Sequence, residues 1–239
     1  MHLPLGTIQN MRVLRVIETG YVRENSEGEA LLHHNETNKE LAENEEVKVF
    51  LYNDKKENIV ATTIIPSVTI STYDWAEVIE VVPKLGAFVN IGIAKEILVS
   101  TDDLPKFRSI WPVPGDKLYV KLGLDYRNRL IALPANGSII AEQYEGASED
   151  LLNKSVSGRV YFSSREGTEI FTEEGYRGFI HHTERKSEPR LGELVTGRII
   201  DVKEEVTINV SLRPLKRESI PMDAEDIILH LEANDGVIP

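Results

Sequence analysis

Gly86-Ala87-Phe88-Val89, Ile97-Leu98-Val99-Ser100, Lys117-Leu118-Tyr119-Val120-Lys121-Leu122 and Leu130-Ile131-Ala132-Leu133 follow one another in a single short stretch of the chain. Each run is brief, rich in β-branched or aromatic residues, and bounded by Gly, Asn or acidic turn residues. The third alternates polar and apolar positions, the period of a strand buried on one face. The same order recurs on both sides. Upstream stand Gly20-Tyr21-Val22, Ala30-Leu31-Leu32-His33-His34, Val47 to Tyr52 and Ile59-Val60-Ala61-Thr62. Downstream stand Gly167-Thr168-Glu169-Ile170, Gly178-Phe179-Ile180-His181-His182, Leu194 to Ile200 and Ile208-Asn209-Val210-Ser211. An internal repeat of this kind sets the architecture. Five strands in roughly 60 residues is the size of an oligonucleotide/oligosaccharide-binding (OB) barrel. The expected organisation is all-β: barrels at 1–66, 67–134 and 153–214.

Two segments fall outside the repeats. Residues 135–152 carry acidic side chains, no basic one and an Asn136-Gly137-Ser138 turn, and read as an acidic linker with helical character around Glu142 and Tyr144. From Met222 the pattern changes. Asp223 is a candidate N-cap with Asp226 in the capping-box position, and Ile227, Leu229 and Leu231 mix with polar residues as in a short helix. Residues 215–239 read as the opening of a further domain whose remainder is missing.

Composition excludes several classes. The 239 residues contain no cysteine. Disulfides, thiolate metal sites, iron–sulfur clusters and a thiol nucleophile are therefore ruled out. No apolar run approaches the ~20 residues of a membrane-spanning helix, and no basic-then-apolar leader opens the chain. The expectation is a cytoplasmic protein with no membrane partner. No Gly-rich phosphate loop, zinc signature or nucleophile elbow is present, so neither catalysis nor a cofactor is expected. The two His pairs, His33-His34 and His181-His182, do not suggest a metal site, because neighbours on a strand point to opposite faces.

The net charge of −12 argues against binding nucleic acid by general basicity. Its placement changes that reading. Repeats two and three are charge-neutral, and the excess acid lies in repeat one, the linker and the tail. The distribution points to repeats two and three as the half that contacts a polyanion.

The order Gly-Ala-Phe-Val, then Gly115-Asp116, then Asp125-Tyr126-Arg127-Asn128-Arg129-Leu130 resembles the S1-like RNA-binding domain, a version of the OB barrel. The resemblance implies aromatic side chains on the second and third strands that stack bases, a His ending the third strand, and an Asp and Arg near the fifth. Such stacking contributes ~1–3 kcal/mol per base and tolerates any sequence. Carried over by position, it implies Phe88, Asp125 and Arg129 in the second repeat, with Leu85 and Ser100 where the family often has an aromatic and His. It implies Tyr21 and His33 in the first, where no Asp/Arg pair is clear around Asp54 to Asn58. In the third it implies Phe179 and His181, with Glu169 where an aromatic is expected. The plainer reading of Phe88 and Tyr21 is a surface or interface aromatic.

Longer motifs narrow the resemblance. Lys95-Glu96-Ile97-Leu98-Val99, Asp102 to Lys106, Ile110-Trp111-Pro112-Val113-Pro114-Gly115-Asp116 and Glu184 to Glu193 are similar to the conserved virulence factor B family of bacterial proteins. That family implies tandem S1-like domains followed by a winged helix, here truncated at Pro239, and an RNA-binding role in gene expression. The stiff Trp111-Pro112-Val113-Pro114 loop is expected to pack as a plug on or between barrels. Arg185, Lys186 and Arg190 form a basic loop next to His181, either a solvated loop or a phosphate-contacting patch. The expected partner is single-stranded RNA, with DNA as a further partner through the missing winged-helix part. The other class is a scaffold for a ribosome, polymerase or nuclease, which the acidic first repeat suggests.

Overall fold

The computed structural model describes residues 3–135, 149–203 and 207–214, together with residue 228. Among these residues the chain forms three closed five-stranded barrels. Barrel 1 is built from β1 (Ile8–Ile17), β2 (Gly20–Asn25), β3 (Gly28–His33), β4 (Glu46–Asn53) and β5 (Ile59–Thr62). Barrel 2 comprises β6 (Asp74–Val82), β7 (Gly86–Asn90), β8 (Ile97–Ser100), β9 (Lys117–Leu124) and β10 (Leu130–Pro134). Barrel 3 comprises β11 (Ser155–Ser163), β12 (Gly167–Thr172), β13 (Arg177–His181), β14 (Leu194–Val202) and β15 (Thr207–Ser211). In each, three strands meander, and the third then pairs in parallel with the fifth to close the barrel. The winged-helix expectation for 215–239 and the helical one around Glu142 and Tyr144 fall outside the described residues, apart from residue 228.

Alternation produces the walls. Along β9, Leu118, Val120 and Leu122 are buried while Lys117, Tyr119 and Lys121 lie toward the surface. Each fully buried Leu, Ile or Val contributes roughly 1.5–3 kcal/mol. The first strand of each barrel carries a bulge at the same place, at Val13/Arg15, Val78/Glu80 and Val160/Phe162. Such bulges bend a long strand so that it can pair on both edges. The second strand of each barrel opens on a glycine. A Cβ on Gly20, Gly86 or Gly167 would overlap the carbonyl oxygen of Leu32, Val99 or Ile180 across the hairpin.

The barrels share cores. Leu5, Phe50, Tyr52, Val60 and Val68 belong to one apolar cluster with the interior of barrel 2. The connection after β5 is fastened to barrel 2 where the Leu122 N–H donates to the Thr69 carbonyl at 2.9 Å. On the other side, the segment before β14 reaches into barrel 2. Leu191 joins the same cluster and its N–H donates to the Ile110 carbonyl at 2.9 Å, while the Lys117 N–H donates to Gly192 at 3.1 Å. Trp111 plugs this core, 8% exposed, its indole N–H donating to the Pro105 carbonyl at 2.7 Å. No helix among the described residues is long and apolar enough to cross a membrane.

Candidate nucleic-acid interface

Strand register fixes which side chains share the outer face of β2–β3 and its counterparts. Gly20 lies opposite His33, Gly86 opposite Ser100, and Gly167 opposite His181. Two residues along, on the same face, Val22 meets Leu31, Phe88 meets Leu98, and Glu169 meets Phe179. In barrel 2 the row continues, because Leu98 lies opposite Ile131 of β10. Phe88, Leu98 and Ile131 are all half-buried, so this barrel presents a continuous apolar strip ending at Ser100. Ser100 is itself occupied, its hydroxyl accepting from the Asp102 N–H at 3.3 Å.

The register corrects Tyr21. Val22, not Tyr21, is the counterpart of Phe88. Tyr21 faces the barrel interior at 4% exposure, among Leu32, Leu41 and Val49. Its hydroxyl accepts the Leu41 N–H at 3.3 Å. A buried ring with its oxygen engaged cannot stack a base. Barrel 1 therefore offers no aromatic at either outer position, though His33 sits there half-buried.

Barrel 3 differs in another way. Phe179 is half-buried on the outer face, 6.3 Å from the exposed ring of His181. Glu169 does not stand as a loose acid beside it. It pairs with Arg177 at 3.0 Å and accepts the Tyr161 hydroxyl. The basic loop after His181 is corrected at two of its three residues. Arg185 is 9% exposed; its guanidinium donates to the Thr168 hydroxyl and pairs with Glu188 at 3.2 Å. Arg190 spans the seam to barrel 2, pairing with Asp116 at 3.2 Å and with Glu193 at 3.4 Å. Asp116 raises its pKa further above the ordinary arginine value. Both cations are used in holding the fold. Lys186 alone of the three is exposed.

Asp125 and Arg129 form a turn. The Asp125 carboxylate accepts the N–H groups of Arg127 and Arg129, each at 2.9 Å, and pairs with the Arg129 guanidinium at 2.8 Å. Partial burial opposes ionisation, but these donors outweigh it and hold the carboxyl below its usual pKa. Barrel 1 has the same turn. Asp54 accepts the N–H groups of Lys56 and Asn58 at 2.8 and 2.9 Å, and the Asn58 amide at 3.1 Å. The fourth residues, Glu57 and Asn128, share a left-handed backbone with φ of 67° and 61°. The first repeat thus shares the turn but not the Asp/Arg pair, since Asn58 stands where Arg129 does. The aligned spacing of the two turns was the available signal. Lys55 and Lys56 within the first turn, Arg127 within the second, and Lys95 just before β8 are cations that the sequence did not assign to the ligand face.

The rings of His181 and His182 approach to 4.2 Å, because His182 opens a 3-10 turn and does not continue the strand. Each Nδ1 is engaged, with the Thr183 hydroxyl and the Glu166 carbonyl. Among the described residues no group of three or more His, Asp or Glu is arranged to hold a metal ion.

Comparison with known proteins follows the three barrels. Residues 5–64 match the S1 domain, residues 73–133 the CvfB first S1-like domain, and residues 140–214 the second domain of virulence regulatory factor CvfB. The chain is 42% identical over 220 residues to the uncharacterized protein YitL of Bacillus subtilis, covering 92% of this chain and 74% of that one. It is 34% identical over 239 residues to conserved virulence factor B of Staphylococcus aureus strain N315, covering 98% and 79%. A crystal structure from Streptococcus pneumoniae, described as a multidomain protein with nucleic acid binding domains, superposes with a TM-score of 0.81. It is 32% identical, covering 98% of this chain and 82% of that one.

Proposed function

The chain belongs to the conserved virulence factor B family, and from that premise we propose that it is a non-catalytic regulator of gene expression that binds single-stranded RNA. The observation that carries the reading is the strip Phe88–Leu98–Ile131 on the outer face of barrel 2. OB barrels take oligonucleotides on this face, and an aromatic ring flanked by aliphatic side chains is a stacking platform indifferent to base identity. Phe179 and His181 offer a second, smaller platform on barrel 3. With Arg185 and Arg190 committed to internal ion pairs, the binding draws more on stacking than on a basic footprint. Its dependence on salt is modest as a result.

Fluorescence anisotropy of a labelled single-stranded RNA, with a DNA of the same sequence as competitor, tests the reading. Phe88→Ala is expected to weaken RNA binding about tenfold, within the range set by the loss of one stacked base. An unchanged affinity would move the site elsewhere. Equal competition by the DNA would remove the preference for RNA, since only contacts to the 2′-hydroxyl distinguish the two at a given site.

A further inference from the structure

We propose that the cleft between barrels 1 and 2 binds the phosphodiester backbone, so that one RNA strand crosses the seam between the two barrels. The inference rests on the reading of the Phe88 face and extends it to the seam, where barrel 1 carries no aromatic on its outer strand positions. The cleft has a volume of about 520 Å³ and is lined by Leu31, His33, Lys55, Lys56 and Ile59 of barrel 1 and by Lys95 of barrel 2, among others. Leu31 and His33 stand on the outer face of β3, the counterpart in barrel 1 of the face that carries Leu98 in barrel 2. The cleft therefore lies where an OB barrel receives its ligand. Lys95 comes just before β8, the strand that contributes Leu98 to the apolar strip. A strand stacked on Phe88 and passing along β8 arrives at this cleft.

The charge there is cationic, and the acids are already bound. Asp54 is closed by its own turn. Glu57 lies 3.7 Å from Arg129, whose turn faces it from barrel 2. Lys95 is half-buried, its ammonium donating to the Asp54 carbonyl at 3.3 Å, and burial lowers its pKa. Lys55 and Lys56 are exposed at the tip of a turn that the Asp54 carboxylate holds rigid. Beside the cleft the second turn carries Tyr126, 87% exposed, with the Arg127 guanidinium 5.3 Å from its ring centroid. Lysines set on rigid turns over an apolar floor, with an exposed ring nearby, suit alternating phosphates and bases. A stacked surface alone lacks the phosphate contacts.

The test uses the whole chain and two labelled single-stranded RNAs, of about 4 and about 16 nucleotides, the span of OB site sizes. The variant is Lys55→Ala with Lys56→Ala, two exposed side chains whose removal leaves folding intact. The wild type is expected to bind the longer RNA more tightly than the shorter. The double variant is expected to lose much of that gain and to show a salt slope smaller by about 1–2, the loss of two phosphate contacts. Its affinity for the short RNA, set by Phe88, stays as in the wild type. A double variant with wild-type affinity for the long RNA and an unchanged slope would overturn the inference while leaving the Phe88 reading in place. If the wild type binds neither RNA, both fall. Competition by inorganic phosphate at concentrations matched to RNA phosphate would also overturn it, by assigning the cleft to a free anion.

Discussion

The guanidinium of Arg23 lies wholly inside barrel 1, on β2 between Val13 of β1 and Ala30 of β3. Its residue is 0% exposed, and its three side-chain nitrogens have no hydrogen-bond partner among the described residues. Burial lowers its pKa, with Glu45 as a partial offset. Ions buried without partners are costly, and replacement by an apolar side chain of similar volume is often neutral or stabilising by 1–4 kcal/mol. Arg23→Met is therefore expected to raise the urea unfolding free energy by about 1–3 kcal/mol. A decrease would show that the cation is compensated inside the barrel. The same strand shows where residue-scale reading of the sequence stops. Tyr21 stands one residue after its glycine and Phe88 two after its own, so with a strand period of two the first faces inward and the second outward. A slip of one residue exchanges the faces of a strand. Matching Tyr21 to Phe88 by residue type, and not by its distance from the glycine, places it on the wrong face. For Arg185 and Arg190 the nearby acids Glu188 and Glu193 were visible in the sequence, but their other partners, Thr168 and Asp116, are distant along the chain.

At the scale of the element, strands and their order were legible because the repeat displays them three times over, each with its own alternation. The turns were less so. The Asp54 and Asp125 turns share spacing and backbone shape, yet Asn58 and Arg129 close them with different chemistry, which hid their equivalence. The Asp125 turn makes a prediction about pH. Its carboxyl has a depressed pKa in the folded chain, although desolvation works against this. A depressed carboxyl adds stability above the unfolded value of roughly 3.9, and that contribution disappears as pH falls through the folded value. Asp125→Asn is thus expected to be less stable than the wild type at neutral pH, and the difference should shrink as pH is lowered through and below 4. Urea midpoints measured from pH 7 to pH 3 would show the two curves converging. Parallel curves would mean that the turn is held by geometry without the charge.

At the scale of the molecule, the barrels behave as a row of interlocked parts. Leu191 belongs by sequence to the third repeat and by packing to the second. Leu191→Ala is expected to lower stability by about 2–4 kcal/mol. The loss should register in barrel 2. Its two tryptophans, Trp75 and Trp111, are the only ones in the chain, so indole fluorescence reports that barrel specifically. A fluorescence midpoint unmoved by the substitution would show that barrel 2 does not need Leu191. The charge of −12 also reads differently at this scale. In repeat three Arg190 is engaged across the seam to barrel 2 and Arg185 within barrel 3, while the exposed Lys55 and Lys56 stand at the first seam, in the repeat whose net charge argued against it.

The sharing of a core between barrels 1 and 2 also imposes an order on synthesis. Chains emerge from the ribosome amino terminus first, and domains ordinarily fold as they emerge. A Cβ on Gly6 would touch Ile70 and Leu130, and Leu5, Phe50 and Val60 pack with residues of the second barrel. Barrel 1 can close its own ring of strands early, but one apolar flank stays wet until β10 has been made. A nascent chain paused between the two barrels would carry that flank uncovered, a natural landing place for a holding chaperone. Slow codons placed there would lengthen the exposure, while the same pause after residue 135 would meet a seam between barrels 1 and 2 already covered.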